Sequence, residues 1–332
     1  ISYEKLKEDD SEKENVIKEA GTDLTIRDSY VENVEVVVWT PGSTKGMPLS
    51  LNPFRFIDLE KLSEEDRINF LSSTSKNIVN LIGYDPGSDE GKSNETLLTI
   101  VFDFCVISKN KLQNFSDLIS ILENIPEKIA SGVKSISDDR SISNLIKKLN
   151  ILTLGSQRLL FQNGNPLDIN TLLGKDGSTE KTRISVIYLN SLKSSKEKEF
   201  FISEVVQSLY QWMLVNPLKS KNSEVQCAMF IDEIAPYIPP VRVPASKKNL
   251  EFLFRQGRKY GVSSLIATQS PGDIDYKSIG QFSTIIIGAL NTKQDIEKVK
   301  KRLESLFPKD AESIIKKLPS LKSGEFIVVS PN

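Results

Sequence analysis

The sequence predicts an α/β fold: a parallel sheet interrupted by a large helical insertion. Two observations carry this. From about residue 183 onward, short apolar runs alternate with segments of helical period, as in a parallel sheet with helices on both faces. Between about 53 and 182 the apolar residues recur instead at helical spacing, segment after segment.

The elements follow in order. Residues 1–34 are charged and weakly periodic ("EKLKEDDSEKENVIKEA") and read as a solvated helix, a linker or the end of a missing N-terminal part. "VEVVVW" (34–39) reads as a strand from its valines, and "TPGSTKG" turns the chain. Helical segments are expected near 60–82, 95–108, 115–134 and 141–150. In the second, Leu98, Val101, Phe102 and Cys105 stand at i, i+3, i+4 and i+7, and Asn94 suits an N-cap. "ISVIYL" (184–189), "VQCAMFI" (225–231), "SSLIAT" (263–268), "STIIIGAL" (283–290) and "GEFIVVS" (324–330) read as strands, the first two as buried ones. Helices are expected at about 196–215, 247–260 and 293–306. The expected division is therefore a core of 35–52 with 183–332, and an insertion of 53–182. No internal repeat is visible.

Composition narrows the function. A chain of 332 residues can bury one large core or two smaller ones. With 39% apolar and 26% charged residues it reads as an ordinary soluble globular protein. No run of 18 apolar residues and no signal peptide are visible, so no membrane span is expected. The first residue is Ile1, which suggests that the chain begins inside a longer gene product. Cys105 and Cys227 lie far apart in apolar contexts without metal-ligand spacing and read as buried reduced thiols, which suits a cytoplasmic protein. There is no histidine, which excludes a Ser-His-Asp triad, an H-E-x-x-H zinc site and any His general base within these residues. Net charge is −1, so any meeting with nucleic acid must be local, through a lined channel or a few loops.

The stretch "MFIDEIAPYIPPVRVPASKK" (229–248) carries the chemistry. An apolar run stops on Asp232 and Glu233. Ligands of open parallel sheets bind at the carboxyl ends of strands. An apolar strand ending in Asp-Glu is the Walker B pattern: the first acid holds the water shell of Mg²⁺, and the second orients or deprotonates a water attacking a γ-phosphate. A strand end followed by an acidic turn also occurs without function. The next strand ends at Thr268-Gln269, where a polar amide would lie beside the acids or would only satisfy the turn "SPGD". In "FLFRQGRKYGVSS" (252–264), Arg255, Arg258 and Lys259 crowd a helix end, where cations suit the helix dipole. Gly257 costs helix stability and suggests close packing or a neighbouring subunit.

"FIDEIAPYIPP", "FRQGRKYGVSSLIATQSPGDID" and "VEVVVWTPGSTKGMPLSLNPF" together resemble the HerA-FtsK superfamily of ring-forming P-loop ATPases, most closely its HerA-helicase-like branch. The resemblance runs from about residue 34 to 330. It implies a RecA-like ATPase core, ATP and Mg²⁺ as cofactors, a homo-oligomeric, hexameric ring, and DNA threaded through a central pore, with a nuclease as a candidate partner. Position by position it makes Asp232 the Walker B aspartate and Glu233 the catalytic glutamate. Gln269 becomes the sensor on the next strand, Thr268 a cofactor-binding residue beside it, and Arg258 a finger acting on a neighbouring subunit, with Arg255 in reserve.

A P-loop ATPase also needs a glycine-rich loop with Lys and Ser/Thr. "GSDEGKS" (87–93) is one residue short of that pattern and follows a helical segment, so it reads as a loop capping a helix. The resemblance places the true phosphate loop ahead of the "WTPGS" strand, hence upstream of Ile1. The loop "APYIPPVRVPASKKN" is kept extended by its prolines and carries Arg242, Lys247 and Lys248, either as a DNA-phosphate contact in the pore or as plain solvated surface. "LKSKNSE" (218–224) is a weaker candidate of the same kind. Three functions compete: an ATP-driven DNA translocase or helicase, a non-hydrolysing assembly or nucleotide-switch module on the same fold, and a DNA-pumping coupling protein.

Overall fold

The computed structural model describes residues 21, 23–56, 59–218 and 225–330. Most of the charged N-terminal stretch, and "LKSKNSE" after Leu218, lie outside the described residues. The chain divides into two compact units, Ile1–Glu204 and Val205–Asn332.

The first unit opens with helix α1 (Leu24–Asn33), whose N-cap Asp23 accepts the Thr25 amide at 2.9 Å. Strand β1 (Val34–Pro41) follows, then β2 (Met47–Ser50). Gly42 and Gly46, both with positive φ, carry the chain between them. A helical array comes next: α2 (Glu64–Leu81), α3 (Asp89–Ser108), α4 (Phe115–Glu123), α5 (Glu127–Lys134), α6 (Asp139–Leu154) and α7 (Arg158–Gln162). Then come β3 (Asn165–Pro166), the short helix α8 (Ile169–Leu172) and β4 (Thr182–Ile187). The sheet order is β3-β2-β1-β4, all parallel. β1 and β4 pair from Val34↔Thr182 to Trp39↔Ile187, so the helical array leaves and rejoins a single sheet. Trp39 locks this pair: its buried indole N–H donates to Ser185 Oγ at 2.9 Å, and that hydroxyl donates to Leu172 O at 2.6 Å.

Helices form where polar caps meet apolar stripes. Ser63, Ser88, Asn114 and Asp138 each accept the amide three residues on, satisfying a first-turn N–H. The predicted helix at 115–134 is two helices, because Pro126 ends the first and starts the second. Leu71, Ile78, Leu97, Leu98, Val101 and Phe102 fill the α2–α3 interface. Phe54, Phe115, Phe161 and Phe200 form an edge-to-face chain with centroids 4.9, 4.8 and 5.9 Å apart, a geometry that adds to area burial. Helix α9 (Ser195–Val215) ends the first unit and starts the second.

In the second unit β5 (Cys227–Ile231) runs through a loop into α10 (Ala245–Gln256), and the chain then enters β6 (Val262–Ile266). The turn α11 (Tyr276–Ile279), β7 (Ile285–Ile287), α12 (Lys293–Leu306), α13 (Ala311–Lys317) and β8 (Ile327–Val329) complete it. β5 and β6 are parallel. β7 and β8 are antiparallel, a departure from the all-parallel expectation, and they close a small core with Leu303, Ala311 and Leu318. The strands are also less buried than their apolar runs predict. Ile184 and Val186 on β4, and Phe230 on β5, are 40–64% exposed.

Among the described residues no helix is long and apolar enough to cross a membrane. Both cysteines are buried, and burial pushes the Cys105 thiol up to about 11, so it stays protonated at neutral pH.

Candidate functional site at the ends of β5 and β6

The register Cys227↔Val262 through Ile231↔Ile266 brings both strands to the same edge. Pairing continues beyond them: Ala267 N–H donates to Ile231 O at 3.0 Å, and Ile234 N–H to Ala267 O at 2.9 Å. Asp232-Glu233 and Thr268-Gln269 are therefore neighbours, as the sequence predicts.

Glu233 has φ +50°, in the left-handed region that a non-glycine residue rarely occupies and that costs about 1–2 kcal/mol. The only other such residue described, Lys109, caps a helix, where that conformation is common. Glu233 is held there through its carboxylate. Thr268 Oγ1 donates to Oε1 at 2.8 Å, and the Gln269 amide donates to Oε2 at 3.2 Å. Thr268 Oγ1 itself accepts the Ser270 amide at 3.0 Å, which aims its proton at the glutamate. Hydrogen bonds to a charged group contribute about 1.5–3 kcal/mol each, enough to offset the backbone cost. Strain over-determined by its surroundings is a mark of functional positions. Asp232 and the Gln269 side chain stay exposed beside it.

The arginines lie elsewhere. α10 is followed by a 3₁₀ turn, Gly257–Tyr260, that delivers the chain to the start of β6. Arg255 and Arg258 are exposed there, at the opposite end of the strand from Thr268. Six largely extended steps, from Val262 to Thr268, put the two ends about 20 Å apart at 3.3 Å per strand residue. Within one chain they do not share a site with the acids. Arg255 Nε donates to its own helix, to Glu251 O at 3.2 Å. Gly257 is not mid-helix but at its C-terminal end, where an added Cβ would sit 3.1 Å from Val262 O. Close packing on β6 therefore accounts for it.

The proline-rich loop separates its cations. Arg242 is exposed and its Nη2 donates to Pro236 O at 2.9 Å, and Lys248 is exposed. Lys247 turns inward: its ammonium donates to Pro239 O and to Asp275 Oδ2, both at 2.7 Å. Its side chain is 8% exposed, so it fastens the loop and is withdrawn from phosphate contact. Burial raises the Asp275 carboxyl, but the hydrogen bond from Lys247, the Lys277 amide and both lysine charges hold it below the usual carboxylate range. The sequence reading missed Asp275; its signal is an Asp directly before a short helix, which it caps by accepting the Lys277 amide at 2.8 Å.

"GSDEGKS" joins α2 to α3 as a helix cap. Ser88 accepts the Gly91 amide at 3.0 Å, the Gly87 amide goes to Asp85 Oδ1 at 2.9 Å, and helix begins at Asp89 instead of near Asn94. The Gly87, Ser88, Gly91 and Lys92 amides are spent locally, and Gly91 packs on the Asp85 carbonyl, where a Cβ would meet the oxygen at 1.9 Å.

Parallel strands whose ends bring an acid pair to one edge define an α/β fold with a ligand site of the kind open parallel sheets carry at their strand ends. VirB4 of Thermoanaerobacter pseudethanolicus shares this fold, with a TM-score of 0.53 and 14% identity over 93% of this chain and 84% of that one. The plasmid coupling protein TrwB in complex with a non-hydrolysable GTP analogue gives a TM-score of 0.49 and 12% identity over 92% of this chain and 78% of that one. In sequence, the chain is 32% identical over 103 residues to the probable helicase MJ1565 of Methanocaldococcus jannaschii. That match covers 31% of this chain and 19% of the relative's length. No protein-family profile matches the sequence.

Proposed function

We propose that this chain is the motor portion of an ATP-driven DNA translocase or helicase. The observation that carries the reading is Glu233, held in a strained backbone conformation with both carboxylate oxygens engaged by the end of the neighbouring strand. The local match to a probable helicase supports it.

The residues suit a nucleotide with Mg²⁺. That ion keeps several waters and commonly takes one or two carboxylates together with phosphate oxygens. Asp232 is an exposed hard-oxygen ligand at the strand edge, and among the described residues no cluster of three or more acids, cysteines or histidines competes as a metal site. When bound, the ion would neutralise charge on the phosphates. Asp232 would hold its water shell. Glu233 orients the attacking water and accepts its proton. Thr268 and the Gln269 backbone N–H hold the Glu233 carboxylate, and the Gln269 side chain senses the terminal phosphate. Arg258, with Arg255 in reserve, acts as a finger on a neighbouring subunit of a homo-oligomeric ring, hexameric in this reading, since in its own chain it lies a strand's length from the acids. Residues 35–52 with 183–332 form the motor core and 53–182 the insertion. The protein works in the cytoplasm, with Arg242 and Lys248 at the DNA.

A steady-state ATPase assay on the full-length protein, with and without DNA, tests this. DNA-stimulated turnover supports the motor. Nucleotide binding without turnover under either condition makes the protein a non-hydrolysing switch or assembly module.

A further inference from the structure

The loops that leave β5 and β6 are fastened together. Beyond the Lys247–Asp275 pair, the Asp275 amide donates to Ile238 O at 2.9 Å, while within the segment after β5 Ser246 Oγ donates to Tyr237 O at 3.3 Å. The Lys247 and Asp275 side chains are 8% and 13% exposed. What they hold up is open to solvent: Val241 is 91% exposed and Tyr276 70%. Arg242, Lys248 and Lys277 are exposed on these loops and the helices they enter, against two exposed acids, Asp232 and Asp273. The Asp275 charge is already met by Lys247. The result is an aromatic ring on a net basic surface, positioned by buried bonds.

We propose that Tyr276 stacks on a base of single-stranded DNA, while Arg242, Lys248 and Lys277 meet flanking phosphates and the Lys247–Asp275 pair positions the two loops. This rests on the DNA-motor reading and adds the strand preference and the residue. Every base has a face for an aromatic ring, but a duplex hides those faces within its stack, so this surface favours a single strand. Flanking cations supply the salt-dependent share of the affinity.

The test is fluorescence anisotropy of the full-length protein with an oligothymidylate and with a duplex, alongside an ATPase assay. Tyr276→Ala is expected to weaken oligothymidylate binding about tenfold and leave duplex binding unchanged, with Tyr276→Phe retaining wild-type affinity. Lys277→Ala is expected to lower the salt slope by about 0.7. Wild-type affinity of Tyr276→Ala for the oligothymidylate, or an equal loss on duplex, overturns the stacking role while ATP turnover leaves the motor reading intact. A wild-type protein that neither turns over ATP nor binds either nucleic acid overturns both.

Discussion

Glu204 makes stability depend on pH in a direction the fold dictates. It lies on α9, 8% exposed, and its Oε1 finds no hydrogen-bond partner among the described residues. Burial pushes its pKa from 4.5 up to about 7, and a hydrogen bond from Asn77 only partly opposes this. The folded state therefore holds a proton on Glu204 between those two values while the unfolded state has released it. Stability from this group is fully present below pH 4.5 and is lost as pH rises through about 7. At 1.36 kcal/mol per pKa unit the loss amounts to about 3 kcal/mol. Glu204→Gln keeps the shape and removes the titration. Urea unfolding of wild type and variant at a series of pH values from about 4 to 8 gives the assay, with the difference between the two curves cancelling all other titrating groups. The variant should gain on the wild type as pH rises, by about 3 kcal/mol across the range. Parallel curves would refute the reasoning, since they require a Glu204 that ionises in the folded protein as readily as in water.

Two other substitutions probe the site's surroundings. Lys247→Met leaves Asp275 buried without its cation and should cost about 3 kcal/mol in chemical unfolding, the range for a broken buried pair; a cost within about 0.5 kcal/mol, typical of surface changes, would return Lys247 to the solvated loop. Arg258→Ala should lower ATP turnover about a thousandfold while the oligomer elutes as wild type in size-exclusion chromatography, and a wild-type rate would remove it as the finger.

Much of the fold is legible because apolar runs of strand length stand out: "VEVVVW" and "MFI" fall on strands, and "ISVIYL" does as far as Ile187. β2 escaped notice because four residues containing Pro48 look like a continuation of the preceding turn. The antiparallel direction of β8 is set by which edge it reaches after α13, a tertiary choice that "IVV" does not encode. The acid pair and Thr268 were readable from their place at strand ends. The left-handed Glu233 was not, since nothing in "FIDEI" marks a positive φ. Lys247 and Lys248 look alike in sequence, yet one turns inward because Asp275, 28 residues on, waits for it. Glu204 was invisible for the converse reason: a charged residue on a helix reads as solvated until packing covers it.

The central claim is that Glu233 orients and deprotonates the attacking water. Glu233→Gln retains the shape and removes the base. In the full-length protein it should bind a fluorescent ATP analogue with wild-type affinity and show no turnover above background. Full turnover in that variant would contradict the account, whatever the fold around it.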